Sequence, residues 1–324
     1  MDVAAIIVNF RTPEATIGAV TTVLRELAGF SDPRVIVVDN DSRDGSFERL
    51  AATFADPAWD SRVTVIDSKH NGGYGYGINV GVRLLLATAP VPRHVYVMNP
   101  DAWMDAGALR KMVEFMDGHP DAGLVGGRIH CPSGEQLKAF RFPSFWGEFE
   151  ATARTNVVAR LLRDQVIPIF PEESCAVDWV SGTSMLIRSQ LLQSPMLFDE
   201  GFFLYFEEVD FARRVRAAGW KTYYVDGASV GHIGSLSTGM ADQGRPMPAY
   251  WFQARRRYFV KHHGPVYGAA CDLAWICGYA VFVGKSKLLR RKVVFRPRLW
   301  RDFIRYSVSN LMKPAPAAEQ NAAR

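Results

Sequence analysis

The residues of this chain best suited to do chemistry are acids placed where apolar runs stop. His94-Val95-Tyr96-Val97-Met98-Asn99-Pro100-Asp101 is a run of β-branched or bulky residues ending in a Pro and a carboxylate. It predicts a buried parallel strand that delivers Asp101 to the carboxyl edge of a sheet. Open α/β sheets bind ligands at that edge. A carboxylate there suits a hard divalent cation, because Mg²⁺ and Mn²⁺ are held by one or two carboxylates plus the phosphates of a substrate. The competing use of Asp101 is to cap a helix starting near Ala106, aided by Asp105, and spacing alone does not separate the two.

Two more apolar runs, Val35 to Asp39 and Val63 to Asp67, end the same way. Asp39, Asp67 and Asp101 at one edge would repel one another unless a cation or hydrogen-bond donors were present, although Asp is also a common turn residue. A second acidic group, Glu207-Glu208-Val209-Asp210, stands where the aromatic run Phe202 to Phe206 gives way to a helix. Acids in a first helical turn are expected from the macrodipole, which is a sufficient structural use for Glu207 and Asp210. Glu208 reads more sharply: a carboxylate beside aromatic walls can have a raised pKa and serve as a general base. His232 lies in the glycine-flanked stretch Gly231-His232-Ile233-Gly234, read as a loop after a strand over Lys221 to Val225. A lone His is more often structural, but this position favours its meeting Asp101.

These groups need a scaffold, and the sequence supplies one. Ala4 to Phe10 is an apolar strand, and Thr12-Pro13-Glu14 then gives an N-cap, a Pro at the first helical position and an acidic first turn. Helices from Ser46 and from about Tyr76 to Ala89 follow the second and third strands. Strands alternating with amphipathic helices predict an α/β fold with a doubly wound, mostly parallel sheet. Asn71-Gly72-Gly73-Tyr74 opens a Gly-rich stretch reaching Asn79 and Gly81, where backbone can approach a phosphate or sugar. It is a weak dinucleotide signal in the wrong place, since the first β-α turn, Asn9-Phe10-Arg11-Thr12, has no Gly; an NAD-type fold ranks low. In Trp179-Val180-Ser181-Gly182 a Ser-Gly break between two strand-like runs invites a ligand. Ser181 lacks a G-x-S-x-G context, which argues against a hydrolase nucleophile. Residues 131 to 176, rich in Pro, Phe and Trp, read as a loop-rich binding segment or lid, with ordinary core packing the better account of any single aromatic.

The charge is divided unevenly. Residues 1 to 244 carry 22 Lys+Arg against 30 Asp+Glu, whereas residues 245 to 324 carry 16 against 3. A basic aromatic helix over Arg255 to His263 precedes a largely apolar stretch, 265 to 284, that is just long enough to span a bilayer but is weakened by Asp272 and its glycines. The polybasic stretch from Lys285 to Arg305 follows, with Val, Leu, Phe and Trp between the charges. This composition predicts a segment lying on an anionic membrane surface, and the adjoining apolar run favours that over nucleic acid. It could also pair chains into a homo-oligomer. Residues 314 to 324 read as a disordered tail. Four cysteines without C-x-x-C pairing predict free, mostly buried thiols in a reducing compartment, and the N-terminus shows no export signal.

Taken together, Asn9-Phe10, Val37 to Ser46, Asn71 to Tyr74, Asn99-Pro100-Asp101, Trp179 to Gly182, Tyr205 to Asp210 and His232 resemble the family 2 inverting glycosyltransferases of the GT-A fold. Within them the chain is most similar to bacterial rhamnosyltransferases of cell-surface polysaccharide synthesis. The resemblance implies that Asp39 contacts the nucleotide base, with Asn9, Phe10, Arg11, Asn40, Ser68 and Asn71 around it. It implies that Gly73, Tyr74, Asn79, Asn99 and Pro100 border the donor, and that Trp179, Ser181 and Gly182 border sugar and acceptor beside Glu207 and Asp210. Asp101 would hold Mg²⁺ or Mn²⁺, with His232 as a second metal ligand or a phosphate contact. The base falls on Glu208, where the family usually has Asp.

The implied reaction moves L-rhamnose from dTDP-L-rhamnose to a polyprenyl-linked or polysaccharide acceptor, by a peripheral enzyme on the cytoplasmic face of a bacterial plasma membrane. Galactofuranosyl or hexosaminyl transfer is the nearest rival, and a non-catalytic nucleotide-sugar-binding or glycan-binding subunit is the alternative from another class. The implied organisation is a transferase domain over 1–245, its nucleotide-binding half 1–130 and acceptor half 131–245, followed by a helical, membrane-associating extension over 246–313.

Overall fold

The computed structural model describes all residues except 1, 60, 163, 164, 166–168, 194–196, 235–239, 241, 294, 312 and 314–324. The tail expected over 314–324 therefore lies outside the described residues.

The first third alternates as its apolar pattern predicts: β1 (Val3–Asn9), α1 (Pro13–Leu27), β2 (Arg34–Asp39), α2 (Ser46–Ala55), β3 (Val63–Asp67), α3 (Tyr74–Ala87) and β4 (His94–Met98). β1 is parallel to β2 and β4, and β2 to β3. β1 and β4 are buried along their whole length. Helices cover both faces, so these strands need no polar alternation. Ile6 and Val8 meet Ile78 and Val82 of α3 on one side, while Ala5 and Ile7 meet Val20 and Val23 of α1 on the other.

The chain continues as β5 (Ala102–Met104), α4 (Ala108–Gly118), β6 (Ala122–His130), β7 (Gln136–Leu137), α5 (Phe145–Ala153), α6 (Val157–Leu161), β8 (Cys175–Val177), β9 (Ser184–Arg188), α7 (Glu207–Ala217), β10 (Lys221–His232), α8 (Ala249–Leu288) and α9 (Leu299–Asn310). Among the described residues the strands form one sheet, ordered β3-β2-β1-β4-β9-β6-β10-β5, with β7 beside β6 and β8 beside β10. β9 lies antiparallel between β4 and β6, so residues from beyond 130 complete the sheet begun by the first half.

Asp101 leads into the short strand β5, and the helix expected near Ala106 begins at Ala108. β5 pairs antiparallel with the end of β10, setting Gly231 opposite Trp103 and His232 opposite Ala102. His232 therefore closes a strand, because β5 supplies partners for backbone that would otherwise lie in a loop. Any side chain at Gly231 would collide with the Trp103 indole.

Within residues 131 to 176, expected to be a loop-rich binding segment or lid, α5 forms a helix that packs against the C-terminal helix α8. The Phe145 amide donates to the Tyr267 hydroxyl (3.1 Å) and the Thr152 hydroxyl to the Trp275 carbonyl (3.1 Å). Gly278 sits against Thr152 and the Phe149 carbonyl, with no room for a Cβ.

The arginines at the start of α8 are turned into the protein. Arg255 and Arg256 are 2% and 3% exposed. Arg255 is clasped by Glu148 (2.8 Å) and Asp272, and Arg257 by Asp199 (2.9 Å). The helix bends at Gly264 (φ 82°), just before Pro265. By length and composition α8 could cross a membrane, and 33% of its most apolar stretch is buried in the protein. Of the cysteines, Cys271 is buried, Cys131 and Cys175 are half-buried and Cys277 is exposed, so the expected burial holds for one of them.

Candidate active site

A cavity of about 610 Å³ opens at the carboxyl ends of the strands, lined by residues from β1 onward to the segment before α9. β4 places Asp101 there through the Asn99-Pro100 turn. Two backbone bonds fix that turn: the Asn99 amide donates to the Thr183 carbonyl (3.0 Å) and the Ile233 amide to the Asp101 carbonyl (3.0 Å). The β5–β10 pairing then brings the His232 Nε2 within 3.1 Å of the Asp101 Oδ1, with the Asn99 side-chain Nδ2 3.3 Å from the same nitrogen.

The N-terminal turn of α7 brings Glu207 and Glu208 to the same cavity. Tyr205 and Phe206 precede it with φ of 71° and 67°, a turn that aims the acids inward while the aromatic rings remain alongside. Each glutamate keeps one buried oxygen, Oε2, without a hydrogen-bond partner among the described residues. Burial pushes the Glu208 carboxyl above its ordinary value, opposed by the amides of Glu208, Val209 and Gly182. Burial first, and the neighbouring Glu208 charge second, push Glu207 well above it. An ionised carboxylate whose pKa is raised is a stronger base than an ordinary one.

The glycine-rich turn enters from another element. Gly73 has φ 92° and presses on the Phe203 carbonyl, a position only glycine can fill. Asn40 steadies it, donating to the Gly73 carbonyl (3.0 Å) and the Asn71 side-chain oxygen (3.1 Å). Tyr74 donates its hydroxyl to the Gly182 carbonyl (3.0 Å).

The structure thus brings together Phe10, Asn40, Asn71, Gly73 and Tyr74 from the first three β-α units, Asn99, Pro100 and Asp101 after β4, and Ser181, Gly182, Glu207, Glu208 and His232 from beyond residue 130. Other residues of the sequence-derived set stand behind the wall. Asp39 is 2% exposed, its oxygens taken by the Asn9 side chain (2.6 Å) and by the Ser42 amide and hydroxyl (3.0 and 2.7 Å). Arg11 turns its guanidinium to the Ser42 carbonyl, and Ser68 donates to the side-chain oxygen of Asn40. Asn79 clasps the backbone of Phe198. Trp179 stacks on Phe140 at 4.1 Å and donates to the Arg141 carbonyl. Asp210 faces the C-terminal helix and accepts from Arg214, Lys261 and His262. Asp67, the third strand-end acid, pairs outward with Lys69.

Sequence reasoning missed Arg245, Pro246, Pro248, Tyr250 and Arg296, which complete the wall. Arg296 is 9% exposed and donates to the carbonyls of Met240 (2.6 Å) and Arg245 (3.2 Å). The Arg-Pro-Met-Pro stretch before α8 was the available signal, but it has no spacing that separates a site from a linker.

Among the described residues no three potential ligands converge on one point. Asp101 and His232 make a two-residue set, which suits an ion whose remaining positions are filled by substrate phosphates and water.

A sheet with acids at its carboxyl edge around this cavity has the architecture of the GT-A fold. The chain belongs to glycosyl transferase family 2: the model of that family matches residues 4–168, and that of glycosyl transferase family group 2 matches residues 94–301. It is 29% identical over 220 residues to the N-acetylglucosaminyl-diphospho-decaprenol L-rhamnosyltransferase of Mycobacterium tuberculosis, covering 63% of this chain and 68% of that protein. Its fold is similar to the mannosyltransferase PcManGT from Pyrobaculum calidifontis in complex with GDP-Man and Mn²⁺ (TM-score 0.56, 15% identity, 95% of this chain and 86% of that one). It is equally similar to S. aureus TarS 1-349 in complex with UDP-GlcNAc (TM-score 0.56, 15% identity, 96% and 84%).

Proposed function

We propose that this glycosyltransferase moves L-rhamnose from dTDP-L-rhamnose, with inversion, to a hydroxyl of a lipid-linked or cell-surface polysaccharide acceptor. The observation that carries the reading is that Asp101 with His232, and Glu208, line one cavity large enough for a nucleotide sugar. Phe10, Asn40 and Asn71 wall the nucleoside end and Gly73 and Tyr74 the diphosphate. Glu208 takes the proton of the acceptor hydroxyl as the acceptor oxygen bonds to the anomeric carbon. The bond from that carbon to the diphosphate breaks at the same time, and its electron pair leaves on the diphosphate oxygen. Asp101 and His232 would hold Mg²⁺ or Mn²⁺, which supplies positive charge to the departing diphosphate. One base suffices for a single displacement; the paired carboxylates of a hydrolase are not required.

The choice of rhamnose and of a lipid diphosphate acceptor is supported by the name of the mycobacterial relative. A panel of dTDP-rhamnose, UDP-hexosamines and UDP-galactofuranose, with Mn²⁺ and a polyprenyl-diphospho-N-acetylglucosamine acceptor, tests it. Transfer from dTDP-rhamnose supports the reading. Transfer from a UDP-sugar instead overturns the donor, and binding without transfer from any of them overturns the reaction.

We further take 1–245 as the transferase domain and 246–313 as an extension lying on the anionic cytoplasmic face of the membrane. Val266, Leu273, Cys277, Val281 and Leu288 recur at helical spacing on the exposed side of α8. Exposed Lys287, Arg290, Arg291 and Lys292 follow. The opposite side of the helix is committed to protein through Asp272 and Gly278, which favours lying on the bilayer over crossing it. Retention on phosphatidylglycerol vesicles but not on phosphatidylcholine vesicles is the expected result. Equal behaviour on both would remove the electrostatic part, and self-association through this face would show as dimers in sedimentation without vesicles.

A further inference from the structure

Glu208 is a long, flexible side chain in a cavity, and something must hold its carboxyl in place for it to act as a base. The Gly182 backbone does this on one side. A methyl group built on Gly182 would meet the Cβ, Cγ and Cδ of Glu208 at 3.5, 3.6 and 3.7 Å, so the glutamate stem lies along this peptide with no side chain between them. The Gly182 amide also favours the charged carboxylate. The peptide belongs to the irregular stretch between β8 and β9, where the Ser184 amide donates to the Ser181 carbonyl (3.3 Å), the Thr183 amide to the Ser181 hydroxyl (3.2 Å) and the Asn99 amide to the Thr183 carbonyl (3.0 Å). The Gly182 carbonyl itself is held by Tyr74, whose hydroxyl donates to it at 3.0 Å, a contact spanning 108 residues of sequence. Tyr74 is in turn anchored through its own amide, which donates to the Phe203 carbonyl at 3.0 Å, just ahead of the turn that launches α7.

We propose that Tyr74 is a positioning residue for the base: by holding the Gly182 carbonyl it sets the peptide along which Glu208 lies, and so sets where the Glu208 carboxyl stands in the cavity. This rests on Glu208 being the base. The hydroxyl keeps its proton and donates it, because burial and the charges of Glu207, Glu208 and Asp101 push the Tyr74 phenol well above its ordinary value. A phenylalanine there keeps the ring and its packing and removes only the donor. A shorter acid at 208 withdraws the carboxyl from the Gly182 peptide without altering its charge.

The test is a double-mutant cycle on the full chain with a nucleotide-sugar donor that supports turnover. Tyr74→Phe is expected to lower kcat about tenfold, the loss of one hydrogen bond that matters in the transition state, with the donor KM within about twofold. Glu208→Asp is expected to lower kcat by a similar or larger factor. The two together should lose no more than Glu208→Asp alone, because a carboxyl that no longer lies on Gly182 cannot feel Tyr74. Melting temperatures of all three variants report folding, and a merely structural Tyr74 would give additive losses or a raised donor KM. Either result, or unchanged kcat in Tyr74→Phe, overturns the proposal. Glu208→Gln separates the two levels: if it retains turnover, the base assignment fails; if it is inactive while Tyr74→Phe is normal, only the positioning role fails.

Discussion

Two sets of acids in this protein share a chemistry and differ in their surroundings. In the seam where α8 meets the rest of the fold, four acids are each paired with a cation. Glu148 and Asp272 share Arg255, Asp199 meets Arg257 and Lys261, and Asp210, fully buried, accepts from Lys261 (2.6 Å), His262 (2.7 Å) and Arg214 (2.8 Å). Burial would raise the Asp210 carboxyl, but the His262 hydrogen bond and the charges of Arg214 and Lys261 hold it far below its ordinary value. Two residues earlier on the same helix, Glu208 has no cation among the described residues, and burial raises it. The lesson is that sequence proximity does not assign roles here. One turn of α7 carries a candidate base on its cavity side and a structural anchor on its other side.

The largest effect expected from breaking this contrast lies in the seam. Arg255→Met leaves Glu148 and Asp272 buried beside each other, and should cost about 3–5 kcal/mol of stability in urea unfolding, the usual consequence of removing one partner from a buried ion cluster. A loss below about 1 kcal/mol would mean the cluster is hydrated or rearranges. In the cavity the effect should fall on rate. Glu208→Gln and Asp101→Ala are each expected to lower kcat by at least about a hundredfold with little change in melting temperature. Near-normal turnover in either removes that residue from the mechanism.

The pH dependence should run in opposite directions for the two sets. Glu208 is charged only above its raised pKa, so kcat should fall on the acid side with an apparent pKa above the ordinary carboxylate value, and that limb should vanish with Glu208→Gln. Asp210 has a lowered folded pKa, so its contribution to stability is present above the unfolded value and is lost as pH falls through about 4 toward the folded value. Asp210→Asn should flatten that part of a stability-against-pH curve. The smallest effect on the fold is expected at the outer side of α8. Leu273→Ser, at a position 60% exposed, should change stability by less than about 0.5 kcal/mol while weakening retention on anionic vesicles.

Much of the fold was legible because its signals are local. The strands β2 and β4, which lead to Asp39 and Asp101, are buried and follow from unbroken apolar runs, α1 follows from Pro13 and Glu14 at its start, and β3, read as a buried strand, has no buried residue because it is the outer strand of the sheet. The acids at those strand ends look alike in sequence and part ways in space. Asp67 sits on the outer strand β3 and pairs with Lys69, Asp39 is saturated by Asn9 and Ser42, and only Asp101 reaches the cavity. The three-residue strand β5 was invisible because so short a segment has no periodicity to read, yet its pairing with β10 is what sets His232 beside Asp101. The burial of Arg255 and Arg257 had no local signal, because Glu148 and Asp199, which pair with them, lie 107 and 58 residues away in sequence.

By itself the sequence determined the α/β alternation, the carboxyl-edge position of Asp101 and the acidic start of α7, since each depends on the period and composition of a short window. Only the tertiary structure decided which acids are neutralised and which are left facing a cavity. That depends on contacts such as Arg255 with Glu148, 107 residues apart, and His262 with Asp210, 52 apart. A buried charge responds to whatever group packing sets within a few ångströms of it, and a local window of sequence does not contain that group.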